Sequence, residues 1–396
     1  DSAVVLPGND IHLTQAALKL RFTSLSWTVT RTSVMLPPLH SSRVRLLYLG
    51  TPQHETSPSI RQKYPQFDID ILDVSSRTEL LVRLPMLVAS SGPYQGVVCR
   101  LGTQAFEPFD AELLSPLLPA LRIVVSAMKG FDDFDVEWMT KSGIWFCNTR
   151  NATVPATADM ALYLILAVLR RTFVAEESVR HGCWRGALAL AREPTGLTLG
   201  IVGMGAIGTC LARKAFAIGL KVRYYARDGG IVRNAPEDAM YCSSLEELLT
   251  AADIISLHCP LTESTRHLIG ERELAIMKDG SYIINTARGP IVDNAALIEA
   301  LKSGKIAGAG LDVFEGEPYN IHPYFMESDR VAVQPHMGGL TVGSFERAEE
   351  ECLQNIQAWS TSGSPRMPVN MVTSHPVARH DSVQDMTLIA ERRDEI

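Results

Sequence analysis

Short apolar runs alternate with longer amphipathic segments through the middle of the chain. The short runs are rich in Val, Ile, Leu and Tyr and predict buried strands. They lie at Leu46–Leu49, Gly96–Cys99, Ile123–Ser126, Leu199–Val202, Val222–Tyr225, Ile254–Leu257, Tyr282–Asn285, Ala309–Val313 and Val331–Gln334. Helices are predicted between them, for example at Ala206–Ile218, Leu245–Thr250, Asn294–Lys302 and Ser344–Ala358. This alternation is typical of a parallel α/β sheet.

A long helical stretch at residues 156–179 divides the pattern into two blocks. Its apolar run MALYLILAVL is too short to cross a bilayer and predicts a buried helix. We therefore predict an α/β protein of two Rossmann-like, doubly wound parallel-sheet domains with a cleft between them. The predicted substrate (catalytic) domain is discontinuous, at residues 40–152 and 340–365. The dinucleotide-binding domain is predicted at residues 153–339, and Trp184 is expected to pack between the two domains.

The two ends of the chain lack this pattern. Residues 1–39 are expected to be an N-terminal extension outside the fold, and residues 366–396 a polar C-terminal tail. Between residues 11 and 34 there are three basic residues and no acidic one. Two interpretations stay open for residues 1–34, a mitochondrial transit peptide or an extraneous extension, and the small number of arginines favours the extension.

Composition excludes several classes of protein. With 46% hydrophobic residues the chain is too apolar to be disordered throughout, and a formal net charge of −7 argues against a nucleic-acid-binding face. The seven cysteines are scattered without a CxxC pair, which indicates reduced thiols and neither a disulfide framework nor a zinc site. We therefore expect a cytoplasmic protein without a metal and without a nucleic-acid or membrane partner.

A glycine-rich turn joins the predicted strand Leu199–Val202 to the predicted helix that follows it. It reads Gly203-Met-Gly205-Ala-Ile-Gly208. The first glycine permits a tight turn, the second lets a pyrophosphate approach the backbone, and the third allows helix and strand to pack closely. The helix N-terminus then offers unpaired N–H groups to the phosphates. The spacing and its context predict a dinucleotide cofactor.

Three chemically distinct side chains follow three predicted strands of the second block. Arg288 lies in NTARGPIVD, Glu317 in GAGLDVFEGEP and His336 in QPHMGGLT. Ligands bind at the carboxyl ends of strands in open α/β sheets, so these side chains are expected to meet at one site. Reduction of a 2-oxo acid needs such groups. A guanidinium clamps the substrate carboxylate, a histidinium donates a proton to the carbonyl oxygen, and a carboxylate favours the charged form of the histidine.

In these motifs and their order, the sequence resembles the D-isomer-specific 2-hydroxyacid dehydrogenase family, in particular its glyoxylate/hydroxypyruvate reductases. The resemblance spans Val44–Trp359 and is strongest over Gly200–Thr341. It implies a homodimer acting on a small-molecule 2-oxo acid, in which Arg288 binds the substrate carboxylate, His336 is the acid/base and Glu317 supports the histidine. It also implies cofactor contacts at Thr157, Gly203, Gly205, Ala206, Ile207, Gly208, Pro260, Thr265, Thr286 and Asp312.

The predicted substrate loop departs from the family pattern. It reads VSAMKGFDDFD, and Gly130 matches a family glycine whose N–H faces the substrate carboxylate. Met128, however, stands where a second glycine is common, and Lys129 adds a positive charge. We predict that Met128, Lys129 and Gly130 contact the substrate. Whether Met128 reshapes the pocket or is a harmless surface change stays open.

The choice of cofactor depends on the end of the predicted strand Val222–Tyr225. NAD-specific folds place an acidic residue there to bind the ribose hydroxyls. Here Ala226 fills that position and Arg227 follows it, so a 2′-phosphate meets no repulsion and finds a partner. Asp228, in a Gly-Gly loop, is the alternative ribose ligand. We predict that NADP(H) is favoured over NAD(H), with Arg227 contacting the cofactor.

The sequence therefore predicts an NAD(P)-dependent oxidoreductase that reduces a 2-oxo acid to the D-2-hydroxy acid. Formate-dehydrogenase-like enzymes share the fold, but they pair the histidine with glutamine, so Glu317 argues against that alternative. A dinucleotide-sensing binding protein of the corepressor type would carry the same turn and the same three residues; the lack of a basic face argues against it. The intact triad likewise disfavours a catalytically silent paralogue.

Overall fold

The three-dimensional structure is a computed structural model that describes residues 43–50, 62–100, 102–185, 188–226, 232 and 234–372. The predicted N-terminal extension, most of the predicted tail, and both Arg227 and Asp228 lie outside the described residues. Within the described residues, no helix combines the length and the hydrophobicity needed to span a membrane.

The first block forms a five-stranded parallel sheet. Its strands are β1 (Val44–Leu49), β2 (Phe67–Leu72), β3 (Gly96–Cys99), β4 (Ile123–Ser126) and β5 (Trp145–Asn148), in the order β2-β1-β3-β4-β5. The central strands β3 and β4 are fully buried, as their unbroken apolar sequences predict. The edge strand β2 was not predicted. Its sequence FDIDIL carries aspartates, and most of its residues are only half-buried.

Three α-helices of this block have both ends within the described residues: α1 (Arg77–Ser91), α2 (Ala111–Leu114) and α3 (Val136–Lys141). Each begins at a polar residue whose side chain accepts a backbone N–H of the first turn. These capping residues are Ser76, Asp110 and Asp135. Such caps satisfy N–H groups that have no partner inside the helix.

The long helical stretch between the blocks consists of two helices, α4 (Val154–Arg170) and α5 (Thr172–Arg180). Arg171 adopts a left-handed φ of 49°, which ends the first helix and separates the second from it. The apolar run predicted to be buried lies in α4 and packs against the second sheet. The expectation for Trp184 is wrong: the residue is 71% exposed, so it is not buried between the two blocks that the structure describes.

The second block forms a seven-stranded parallel sheet. The strands are β6 (Thr198–Val202), β7 (Lys221–Tyr225), β8 (Met240–Tyr241), β9 (Ile254–Leu257), β10 (Ser281–Asn285), β11 (Ile306–Leu311) and β12 (Val331–Val333). Their order is β12-β11-β10-β9-β6-β7-β8. From β8 the chain crosses back to β9, on the other side of β6, and this reversal creates a topological switch point at the glycine-rich turn that follows β6. The prediction of two doubly wound, Rossmann-like α/β sheets is confirmed.

The helices of this block are α6 (Ala206–Ala217), α7 (Leu245–Ala251), α8 (Glu271–Ile276), α9 (Asn294–Ser303) and α10 (Pro323–Glu327). Predicted and observed helices agree to within a residue at each end of α6, α7 and α9. The strand predicted at Ala309–Val313 instead ends at Leu311, and the side chain of the next residue, Asp312, binds the loop after β12.

The chain then returns to the first sheet through α11 (Val342–Ser362). One face of α11, with Ala348, Cys352 and Ile356, packs on the cluster that contains Leu46 and Tyr48 of β1. Residues 367–370, which the sequence assigns to the tail, bind the edge of this sheet as well. Val369 donates its N–H to the carbonyl of Phe146 at 2.8 Å, and Asn370 accepts the N–H of Phe146 at 2.7 Å. The division into domains otherwise stays a prediction.

Candidate active site

His336 and Glu317 form a hydrogen-bonded pair. Nδ1 of His336 lies 2.7 Å from Oε1 of Glu317. Because an ionised carboxylate only accepts hydrogen bonds, Nδ1 carries a proton, which leaves Nε2 as the nitrogen that can exchange a proton with a ligand. The histidine side chain is 32% exposed and the glutamate side chain 27%, so a small molecule has access to the pair.

Backbone groups directly after β11 hold both members of this pair. His336 adopts a left-handed φ of 54°, and its N–H donates to the carbonyl of Asp312 at 2.7 Å. Oε2 of Glu317 accepts the N–H of Phe314 at 2.9 Å. The imidazole and the carboxylate are therefore both oriented by one strand end, which favours a fixed geometry between them.

Asp312 is buried beneath the turn that carries His336. Its two carboxylate oxygens accept the N–H groups of Met337 and Gly338, each at 2.8 Å. Burial raises the pKa of Asp312, although the two N–H donors and the charge of His336 act in the opposite direction. Asp312 thus orders the histidine turn. Its predicted role near the nicotinamide carboxamide stays a prediction.

Arg288 follows β10 in a turn that Asn285 shapes. The side chain of Asn285 donates to the carbonyl of Arg288 at 2.9 Å and accepts the N–H of Ala287 at 3.0 Å. Sequence reasoning did not single out Asn285, although an asparagine at a strand end commonly makes such a local turn. The turn fixes the backbone from which the arginine side chain extends.

A close backbone contact brings the arginine turn against the turn that carries Glu317. A Cβ atom at Gly289 would lie 2.0 Å from the carbonyl carbon of Phe314 and 2.2 Å from the nitrogen of Glu315. Only a glycine fits at this position, because any side chain would force the two turns apart. The loops after β10, β11 and β12 therefore lie side by side, as expected for neighbouring parallel strands.

The side chain of Arg288 crosses to the loop after β4. Its Nε lies 3.2 Å from Oδ1 and 3.3 Å from Oδ2 of Asp132. Its Nη1 donates to the carbonyl of Ala287 at 2.9 Å. A Cβ atom at Gly130 would lie only 1.5 Å from Nη2 of the arginine. Of the predicted substrate contacts, Gly130 is thus packed directly against the guanidinium.

The glycine-rich turn has the geometry of a phosphate-binding turn. Gly203 has a φ of +98°, and a Cβ there would lie 2.9 Å from the carbonyl carbon of His258. A Cβ at Gly208 would lie 2.4 Å from the carbonyl oxygen of Gly203, so the helix meets the strand closely. Gly205 caps α6, and no described atom lies within 4 Å of where its Cβ would be. Ala206 and Ile207 form the first turn of α6.

These residues fit a dinucleotide. The open space beside Gly205 at the N-terminus of α6 would admit a pyrophosphate, whose oxygens would accept N–H groups of the first turn. The hydroxyl of Thr286, directly after β10, is buried and has no hydrogen-bond partner among the described residues. A bound ligand would supply one, because buried hydroxyls are rarely left without a hydrogen bond.

Two predicted cofactor contacts already have partners within the chain. The hydroxyl of Thr265 donates to the carbonyl of Pro260 at 2.7 Å and accepts the N–H of Thr262 at 2.7 Å. It therefore shapes the loop that follows β9. Thr157 lies in α4 and donates to the carbonyl of Thr153 at 2.9 Å. The cofactor contacts of both residues stay predictions.

Comparison with known proteins places this geometry in a family. Residues 162–338 match the model of the D-isomer specific 2-hydroxyacid dehydrogenase, NAD binding domain. The chain is 49% identical, over 86% of its length and 85% of the relative, to the "Dehydrogenase efuE" of Hormonema carpetanum. The chain belongs to the D-isomer-specific 2-hydroxyacid dehydrogenase family. It is therefore an NAD(P)-dependent oxidoreductase of the CH–OH group, with small 2-oxo acids as the substrate class of its homologues.

Solved structures of this dehydrogenase family share the fold. A glyoxylate reductase from Paecilomyes thermophila superposes with a TM-score of 0.74 at 34% identity, covering 83% of this chain and 99% of its own. The holo D-mandelate dehydrogenase of Rhodotorula graminis gives a TM-score of 0.74 at 34% identity, covering 84% and 99%. Because the names of these two neighbours give different substrates, family membership alone leaves the 2-oxo acid undecided.

In this dehydrogenase, the remaining predicted substrate residues lie at the base of the loop after β4. Met128 is half-buried and packs on two apolar clusters of the first sheet, so it is a packing residue and not a surface change. Burial lowers the pKa of Lys129, and Glu351 opposes that shift. Burial, followed by the charge of Lys129, lowers the pKa of His258 to about 3. The charge of Lys129 therefore reaches His258 of the second block.

Sequence reasoning also missed a group of acidic residues beside Arg288. Burial, with the charges of Asp133 and Asp132 next, raises the pKa of Glu107 to about 8. Burial likewise raises the pKa of Asp133 to about 6. Asp132 and Asp133 follow Gly130 and Phe131 in the quoted loop, so closeness in sequence to a predicted substrate residue was the available signal. Glu107 lies in a separate loop, and no sequence signal linked it to the site.

Proposed function

We propose that the protein reduces a 2-oxo acid to the D-2-hydroxy acid, with His336 as proton donor, Glu317 as its supporting carboxylate and Arg288 as the binder of the substrate carboxylate. The observation that carries the proposal is the 2.7 Å contact between Nδ1 of His336 and Oε1 of Glu317, beside the turn of Arg288. This arrangement supplies an acid and a carboxylate clamp on adjacent loops at the carboxyl edge of the dinucleotide-binding sheet.

The chain's own residues have separate tasks in this reaction. Gly203, Gly205 and Gly208 would hold the nicotinamide dinucleotide, which would supply the hydride for the carbonyl carbon when bound. The imidazolium of His336 gives the proton on Nε2 to the carbonyl oxygen, while Nδ1 stays bonded to Glu317. The carboxylate of Glu317 stabilises the positive charge of the imidazolium before the transfer. Arg288 binds the carboxylate of the substrate. This contact holds the substrate in one orientation, with its carbonyl group aligned for the reaction.

The cofactor preference is part of the same proposal. Ala226 follows β7 at the position where NAD-specific folds place an acid, and the neutral methyl does not repel a 2′-phosphate. Arg227 and Asp228 come next in the chain and lie outside the described residues. We assign Arg227 to the 2′-phosphate and expect NADPH to be preferred over NADH. A lower NADPH/NADH ratio of kcat/KM in Arg227→Ala is the expected result, and an unchanged ratio would contradict the assignment.

A homodimer is the proposed assembly. The segment from α4 to the chain before β6 carries exposed apolar side chains: Tyr163, Val179, Trp184 and Leu190. A second copy of the chain would remove these side chains from water, which is the driving force for association. Size-exclusion chromatography with light scattering is expected to give twice the 43.4 kDa of the chain. A monomer at micromolar concentration would contradict this part of the proposal.

A panel of substrates tests the proposed reaction. Glyoxylate, hydroxypyruvate, pyruvate, 2-oxoisocaproate and phenylpyruvate are offered with NADPH and with NADH, and oxidation of the cofactor is followed by its absorbance. We expect turnover of at least one of these acids, with glyoxylate or hydroxypyruvate the leading candidates. Tight binding of the dinucleotide without turnover of any of them would instead favour the sensing function of a corepressor-type protein.

A further inference from the structure

The contact between Arg288 and Asp132 joins the two blocks of the chain at the predicted substrate site. Arg288 follows β10 of the second sheet, and Asp132 lies in the loop after β4 of the first. Both oxygens of the carboxylate are almost equally far from Nε of the arginine, at 3.2 and 3.3 Å. The arginine side chain is 27% exposed, so this ion pair is partly shielded from water.

The guanidinium is held by three different groups. Asp132 accepts from Nε, the carbonyl of Ala287 accepts from Nη1 at 2.9 Å, and Nη2 packs against Gly130. No described residue accepts a hydrogen bond from Nη2. The contacts therefore engage Nε and one N–H of Nη1, and they leave the second N–H of Nη1 and the N–H groups of Nη2, along the Nη1–Nη2 edge, for a ligand. That edge is one of those through which arginine binds a carboxylate with two parallel hydrogen bonds.

We propose that Asp132 is a positioning residue, which turns Arg288 so that its free edge meets the substrate carboxylate. The inference rests on the proposed function of Arg288. An arginine side chain has several rotatable bonds, and fixing it before the substrate arrives reduces the conformational entropy that binding must otherwise remove. The carboxylate of Asp132 reaches across from the other block, so it orients the arginine only when the two blocks are in the arrangement described.

Substitutions at Asp132 separate this role from a general structural one. Asp132→Ala removes both acceptors, and we expect the KM for the best acid of the panel to rise by about tenfold, with a much smaller change in kcat. Asp132→Asn keeps one oxygen for Nε, and we expect it to restore most of the wild-type KM. Glu137→Ala removes another exposed acid from the same block, at α3, and serves as the matched control with wild-type kinetics.

A second readout does not depend on turnover. The Nε–H resonance of Arg288, identified by its loss in Arg288→Lys, is recorded by proton–nitrogen correlation spectroscopy. We expect the wild-type chain to protect this N–H from solvent exchange and Asp132→Ala to lose the protection. An unchanged resonance in Asp132→Ala would overturn the proposal, as would an unchanged KM.

A fall of KM in Asp132→Asn would also overturn it, because the aspartate would then compete with the substrate for the arginine. A wild-type chain that reduces no acid of the panel would refute the proposed function, and with it the role of Asp132 in substrate binding. The resonance would then still decide whether Asp132 orients the arginine.

Discussion

Adding one methyl group at Gly130 tests whether Arg288 binds the substrate from the position described. In Gly130→Ala the new Cβ would lie 1.5 Å from Nη2 and 2.7 Å from Cζ of Arg288. Non-bonded heavy atoms prefer separations of about 3.5 Å, so the guanidinium must move by about 2 Å. The arginine end is flexible and can move without disturbing the backbone, so the stability of the fold is expected to change by less than about 1 kcal/mol.

The effect on catalysis is expected to be much larger than the effect on stability. A misplacement of about 1 Å can cost about 100-fold in rate, so we expect kcat/KM for the best 2-oxo acid to fall by at least about 100-fold. That loss corresponds to about 2.7 kcal/mol of transition-state stabilisation. Thermal unfolding and the dissociation constant of the dinucleotide, measured by fluorescence, are expected to stay close to wild type.

A second glycine provides a matched control. In Gly343→Ala the new Cβ would lie 2.9 Å from Nη1 of Arg347, which is also the flexible end of an arginine but lies outside the proposed machinery. We expect this variant to keep kcat/KM within about twofold, since only the far end of a side chain must adjust. If Gly130→Ala retained wild-type kcat/KM, the substrate carboxylate would be bound elsewhere, and the assignment of Arg288 would be refuted.

Three further changes probe the same site. Arg288→Lys keeps the charge but loses the planar fork, so kcat/KM is expected to fall by at least about 100-fold in steady-state assays; equal activity would mean that another group holds the carboxylate. Glu317→Gln removes the charge that supports the imidazolium, and kcat is expected to fall by about 100-fold with dinucleotide binding unchanged; an unchanged kcat would remove Glu317 from the mechanism. Burial raises the pKa of Glu107 to about 8, so its ionisation around that pH adds negative charge beside Arg288. The KM of the anionic substrate is therefore expected to rise with pH through that range. In Glu107→Gln this rise should disappear; its persistence would assign it to a different group.

The core of both sheets could be predicted from the sequence because their central strands are buried on both faces. Predominantly apolar runs at β3, β4 and β9 coincide with the observed strands. The strands that sequence reasoning missed, β2, β5 and β8, all lie at a sheet edge. β2 is only half-buried over most of its length and β8 has two residues, so their sequences carry a weak apolar signal, whereas β5 is fully buried and was missed without that reason.

The part of the candidate site that could be predicted consists of side chains at the strand ends of a single sheet. The turns of Arg288, Glu317 and His336 follow neighbouring strands, and the sheet itself brings them together. Contacts between the two blocks were not predictable, because they depend on how the sheets are arranged in space. The ion pair from Arg288 to Asp132 joins residues 156 positions apart, and no local pattern marks it.

The stereochemistry of a single reduction tests the central claim most directly. Phenylpyruvate or another prochiral acid of the panel is reduced with NADPH by the wild-type chain and by His336→Ala, and the hydroxy acid is resolved by chiral chromatography. The account predicts the D-isomer alone from the wild type, and no product above background from His336→Ala although the variant still binds the dinucleotide. Formation of the L-isomer, or full turnover without the histidine, would contradict it.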